Sequence, residues 1–163
     1  MYDRTIPAFS RGLNAMSAIL DKAEAHCAQR KIDPAVLLTD RLFPDMLPFT
    51  RQVQIASDHA RRCAARLAGV EPLAMADTET GFAELKDRIG RSVAHLATFT
   101  ADRFAGAADR MLHFKFGSRE VSMTGSDYVA TLALPNFYFH LTTAYNILRH
   151  DGVEIGKTDF LGG

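Results

Sequence analysis

The sequence predicts a mainly helical fold, a four-helix bundle with one small β-hairpin set before the last helix. Two observations predict it. Four long segments place apolar residues at steps of three and four, the spacing that puts them on one face of a helix. One short segment between the third and fourth of these switches to a period of two, the spacing of a strand. The composition agrees, with 47% hydrophobic and 23% charged residues in 163. That is one globular domain able to bury a core without disulfides or structural metal.

The first seam runs Ile6, Phe9, Leu13, Met16, Leu20, Ala23 and Cys27, and predicts a helix over residues 5 to 29. Asp33 followed by Pro34 is a helix start, but Pro44 and Pro48 break any longer helix, so 30 to 47 reads as a connector with one helical turn. The second seam, Phe49, Val53, Ala56, Ala60, Cys63 and Leu67, predicts a helix over 47 to 68 that Gly69 stops. A loop through 70 to 79 leads to the third, where Phe82, Leu85, Ile89, Val93, Leu96 and Phe99 predict a helix over 80 to 105.

Leu112, Phe114 and Phe116 then alternate with Met111, His113 and Lys115, and Gly117-Ser118 comes next as a two-residue turn. That turn pairs Phe116 with Arg119, Phe114 with Val121 and Leu112 with Met123, in a hairpin over about 110 to 123 that must lie against the helices. Thr124 and Asp127 open the last helix, 126 to 150, and Gly152 closes it. Its central seam is Ala130, Ala133, Phe137, His140, Ala144 and Ile147. A second stripe, Leu134, Tyr138, Leu141, Tyr145 and Leu148, has to meet the hairpin, the C-terminal tail or another subunit. Pro135 predicts a kink. Residues 152 to 163 show too little periodicity for an element.

Charge and cysteine content exclude several functions. Nineteen basic residues balance nineteen acidic ones, so the chain is not built to neutralise phosphate along a nucleic acid. No apolar run approaches the ~18 residues of a membrane span, and the N-terminus has no basic segment leading into an apolar one, so a cytoplasmic location is expected. Cys27 and Cys63 fall on inward seams and read as inert buried thiols. Gly156-Lys157-Thr158 lacks the preceding glycine and strand of a phosphate loop. Arg51, Arg61, Arg62 and Arg66 read as a solvated helix face. His26, His95 and His113 read as surface or boundary residues.

His140 stands apart, because the period places it on the inward seam between Phe137 and Ala144. A buried imidazole needs hydrogen-bond partners, and Asn136 and Thr143 share its strip. The candidate site is therefore a polar pocket around His140 with Asn136, Thr143, Tyr138 and His59, set against the plainer alternative of a core histidine that fixes helix register. Metal is not expected there, because a third ligand is missing and His150 lies roughly 15 Å further along the helix. No cofactor is expected.

Two stretches carry a family resemblance. One is Leu134-Pro135-Asn136-Phe137-Tyr138-Phe139-His140-Leu141-Thr142-Thr143-Ala144-Tyr145, continuing through Gly152-Val153-Glu154-Ile155-Gly156-Lys157 to Asp159-Phe160-Leu161-Gly162. The other is Pro44-Asp45-Met46 with Arg51-Gln52-Val53-Gln54-Ile55-Ala56-Ser57-Asp58. Together they resemble a bacterial domain of unknown function, the DUF1993 family, in the DinB/YfiT-like superfamily. The resemblance implies an up-down-down-up bundle with a long crossover, and frequent homodimers. Superfamily relatives include metalloenzymes and thiol-dependent transferases or isomerases, which hold metal with one histidine on the second helix and an HxxxH pair on the fourth. On this chain His59 lies near the first position and His140 matches the second, while Ala144 occupies the third. The expectation is a small-molecule binding protein with a degenerate metal site. The alternatives are a metal- or thiol-dependent transferase or isomerase, and an interaction module that dimerises through the last helix.

Overall fold

The long helices run in an order that the side-chain contacts define. In the computed structural model, which describes residues 1–163, they are α1 (Tyr2–Arg30), α3 (Phe49–Ala68), α4 (Phe82–Leu96) and α6 (Leu134–His150). A short α2 (Pro34–Thr39) lies in the first connector, and β1 (Met111–Phe116) with β2 (Arg119–Thr124) forms the hairpin. α5 (Gly125–Tyr128) leads into α6, and α7 (Lys157–Leu161) ends the chain.

Lys86 on α4 reaches Asp21 and Glu24 late in α1, both at 2.8 Å, while the far end of α4 leads through Phe99 and Phe104 to Tyr2. α1 and α4 are therefore antiparallel. Gln52 meets His140 and Arg66 meets Tyr128, so α3 opposes the direction of α6. Ser57 meets Arg88, and further along both helices Arg61 faces His95, so α3 and α4 are parallel. Phe9 packs edge-on against Phe137 at 4.9 Å, and Cys27 lies near Asp151, so α1 and α6 are parallel. This is the up-down-down-up order, and it obliges residues 69 to 81 to travel back along the bundle between two parallel helices.

Buried charge holds that crossover in place. Arg88, 1% exposed, donates to Ser57 Oγ at 2.8 Å, Ala76 O at 3.0 Å, Glu79 Oε1 at 2.9 Å and Asp58 Oδ1 at 2.7 Å, and pairs with Asp77 at 2.9 Å. Arg61 bridges Asp58 to the carbonyl of Leu73, and Arg51 pairs with Asp77. The arginines of α3 are thus not one solvated face, since Arg61 is buried and only Arg62 is widely exposed. A crossover packed on the helix converts outward positions into interior ones, which periodicity cannot register.

Several boundaries differ from the sequence expectation. α4 ends at Leu96 rather than near 105, because Thr98 turns its hydroxyl onto His95 O at 2.7 Å and Phe99 swings into the core. A 3₁₀ turn comes next at Ala101–Phe104. Asp33 caps α2 by accepting from Ala35 N at 2.9 Å, as its place before Pro34 predicts. The hairpin has the expected register, with Leu112 opposite Met123, Phe114 opposite Val121 and Phe116 opposite Arg119. Thr124 caps α5 through Asp127 N at 3.1 Å.

Helical structure is continuous from Gly125 to His150 across Pro135. The turn Val129–Ala133 is π-helical, with Leu134 N bonded to Val129 O, so Pro135 lies in the first turn of α6, where its missing N–H leaves no partner wanting. Gly125 is required where it stands, since a Cβ there would lie 1.9 Å from the carbonyl oxygen of Ala107.

The tail is more ordered than its sequence pattern. α7 forms because Asp159 Oδ2 accepts from Gly156 N at 2.7 Å and Gly162 ends the helix with φ 74°. It docks on α1 through Lys22–Asp159 at 2.6 Å and Arg11 Nε donating to Leu161 O at 2.8 Å, and Phe160 packs edge-on to Tyr145 at 5.6 Å. Five residues are too few to show a helical period. Part of the second stripe of α6 is consequently covered within the chain, Leu141 and Leu148 fully and Tyr145 by Phe160.

His26 is buried rather than at the surface, and the Nε2 atoms of both His26 and His95 are enclosed without a hydrogen-bond partner. Phe99, just after α4, packs edge-on to His95 at 5.2 Å, and the C-terminal segment that carries Glu154 lies beside His26. No helix of the chain is long and apolar enough to cross a membrane.

Candidate functional site

The two histidines singled out in the sequence meet across the α3–α6 interface. Their rings stack with centroids 5.8 Å apart and planes 16° apart. Antiparallel packing of two helices brings His59, mid-way along α3, opposite His140, at the same height on α6. Neither ring is fully buried.

Gln52 orients His140. It lies one heptad before His59 on the same strip of α3, and its Oε1 is 2.7 Å from His140 Nδ1. Its Nε2 donates to the carbonyl of Leu47 at 2.8 Å, which turns the amide oxygen towards the imidazole. His140 Nδ1 must therefore carry the hydrogen, and Nε2 is left with a lone pair free to accept a proton or a hydrogen bond. Sequence reasoning missed Gln52. The signal was its seven-residue spacing from His59, visible only once His59 is known to face the interface.

Both imidazoles are held towards the neutral form. Burial lowers His140 below its ordinary range. For His59, burial, the neighbouring His140 and the charges of Arg62 and Arg66 bring the value down to about 4. The thiols behave as their seams predict, because burial pushes both Cys27 and Cys63 up and away from the reactive thiolate form.

The other candidate residues divide. Asn136 and Thr143 share the His140 strip, yet each spends a polar group on its own helix: Asn136 Nδ2 donates to Leu132 O and Thr143 Oγ1 to Phe139 O, both at 2.7 Å. Asn136 keeps its amide oxygen free. Tyr138 lies elsewhere, two residues from His140 and so round the helix, where it lines a cleft of about 280 Å³ with Gly12, Leu141, Phe160 and Arg11. Phe139, edge-on to His140 at 5.2 Å, is 58% exposed and forms an apolar wall beside the site.

A resident metal does not fit these donors. His59 and His140 supply two nitrogens, the third position is the fully buried Ala144, and nowhere in the chain do three His, Cys, Asp or Glu side chains come together to hold an ion. A stable zinc or nickel site wants three or more such ligands.

Comparison with known proteins bears on this geometry. The model of the family described as "Domain of unknown function (DUF1993)" matches residues 1–161. The chain belongs to the DUF1993 family. Among solved structures, the DUF1993 protein is similar to a DinB family member from Shewanella denitrificans, at 43% sequence identity and a TM-score of 0.94. That match covers 99% of this chain and 92% of the other. A likeness so complete extends over the crossover, the hairpin and α7 as well as the four bundle helices. No curated protein matches the chain.

Proposed function

We propose that this DUF1993 protein binds a small polar molecule between α3 and α6, at His140 and His59, without a resident metal. The observation that carries this reading is the hydrogen bond from His140 Nδ1 to Gln52, itself anchored to Leu47. A core histidine would also need such a partner, but here the bond leaves Nε2 without one while both rings remain only half-buried, an arrangement that suits a histidine receiving a ligand at Nε2. Asn136 contributes its free amide oxygen at the edge of the same site. No reaction is assigned, because two neutral imidazoles with no third donor support recognition and do not by themselves define chemistry. A cytoplasmic location belongs to this reading.

Truncation of His140 tests it. At a solvated site, water replaces the imidazole and His140→Ala costs about 1 kcal/mol or less. In a packed core the same change leaves a void and an orphaned Gln52, for about 2 to 4 kcal/mol. Urea melts distinguish the two, and a loss of several kcal/mol with unchanged slope would overturn the proposal. A second reading, an interaction module pairing two copies through α6, draws support from the exposure of Phe139 at 58% and Tyr138 at 40%.

A further inference from the structure

The α3 strip that carries His59 continues through Arg62 and Arg66, three and seven residues on, and the antiparallel segment opposite places His140 and Asn136 of α6, Leu132 of the π turn and Tyr128 of α5 along it in turn. At one end of these facing strips are the two stacked imidazoles. At the other is the hairpin, where the Arg66 guanidinium lies 4.2 Å over the Phe114 ring and donates to Tyr128 Oη at 2.9 Å.

The charges along the strips do not balance. Asp58 is the carboxylate that serves Arg62, at 3.0 Å, but it is shared with Arg61 and with Arg88. One negative charge thus meets three guanidiniums, and only two of those, Arg61 and Arg88, have further acceptors in the crossover. Arg66 has no carboxylate partner at all, and its single side-chain hydrogen bond leaves most of its N–H groups unused. A chain with no net charge has therefore concentrated uncompensated positive charge beside the two histidines. Burial and the neighbouring His140 lower His59 first, and Arg62 and Arg66 add to them.

We infer that the face where these strips meet forms a groove for a small oxyanion bearing a hydrogen-bond donor, with its carboxylate or phosphate at Arg62 and Arg66 and its hydroxyl or amine at His140 Nε2. The inference rests on the binding site proposed above and adds the charge of the ligand. Guanidiniums recognise carboxylate and phosphate through paired N–H groups, and a neutral imidazole with Nδ1 already committed can only accept at Nε2. An anion without a donor would satisfy one end of the groove and leave the other to water.

Imidazole and guanidinium resonances followed by NMR test this with three probes: sodium lactate, inorganic phosphate and neutral glycerol. The expected result is saturable displacement of the His59 and His140 signals by lactate, by phosphate or by both, weakened at least tenfold in Arg62→Gln and by added salt. Lactate acting alone assigns a carboxylate, and phosphate acting alone a phosphate. Arg62 is exposed, so its replacement leaves the fold intact, and Arg66→Gln serves as a second variant. If glycerol displaces His140 and the anions do no more than glycerol, the site stands and its anionic character falls. The inference also falls if anion binding is unchanged in both arginine variants. If no probe moves either histidine, both the site and the inference fall.

Discussion

Replacing Arg88 by methionine removes the one side chain that touches every layer of the crossover. All five of its N–H groups have acceptors: Ser57, Ala76, Glu79, Asp58 and Asp77. Methionine fills most of the same volume, so the cost is electrostatic rather than a void. Glu79 and Asp58, 11% and 16% exposed, would keep their charges with fewer partners. Asp58 retains Arg61 and Arg62, and Asp77 retains Arg51, so the heaviest loss falls on Glu79, left with Gln54 alone. Breaking one side of a buried ion pair costs about 3 to 5 kcal/mol, because the remaining charge stays buried. The upper half of that range is not reached where partners remain, so about 3 kcal/mol is expected. For a domain of this size that is a fall in Tm of roughly 10 °C. The loss should also shrink in acid. Burial raises the carboxyls of Asp77 and Glu79, but hydrogen bonds from Arg51 and Arg88 to the first, and from Arg88 to the second, outweigh it and hold both below their ordinary values. Groups so depressed stabilise the fold above their unfolded values and lose that contribution as pH falls through the folded ones. Urea melts of wild type and Arg88→Met at pH 7 and pH 3.5 provide the measurement. A loss under about 1 kcal/mol at pH 7, or one that grows in acid, would refute the claim that this network holds the crossover.

Three other perturbations have definite expected outcomes. A Cβ on Gly12 would lie 2.9 Å from the Phe137 ring and 3.0 Å from Leu141, so Gly12→Ala should lose about 1 to 2 kcal/mol despite better helix propensity; Gly90→Ala, with nothing within 4 Å, should instead gain up to about 1 kcal/mol, and thermal melts that rank the two alike would contradict the packing argument. Burial, together with a hydrogen bond and charge from Asp40, raises the Asp151 carboxyl to about 6 against a partial opposing effect of His150. The folded state therefore favours the proton, and stability falls as pH rises from about 4 through about 6. Asp151→Asn should stabilise the protein by about 1 to 2 kcal/mol at pH 7.5 and by little at pH 4; equal effects at both pH values would show that the carboxyl pair is not strained. For the interaction reading, light scattering should report about twice the 18.0 kDa chain mass, and a monomer at every accessible concentration would remove it.

The sequence alone determined the elements whose cause is local. Steps of three and four marked α1, α3, α4 and α6, the alternation at 111 to 116 with Gly117-Ser118 set the hairpin and its register, and Asp33-Pro34 and Thr124 marked two helix starts. The seam arithmetic also put His140 inward, because a helix's own period decides which residues share a face. What surrounds a face is not local. That Gln52 fixes His140, that Arg61 and Arg88 are interior, and that Tyr138 lines a cleft with Gly12 and Phe160 all depend on which helix is packed against which. Five-residue α7 exists because Asp159 and Leu161 have Lys22 and Arg11 to hold, contacts some 137 and 150 residues away in sequence. The π turn before Pro135 is of the same kind, since nothing in the spacing of residues 129–133 marks it. Spacing along a chain records which residues point together; only the packed bundle decides what they point at.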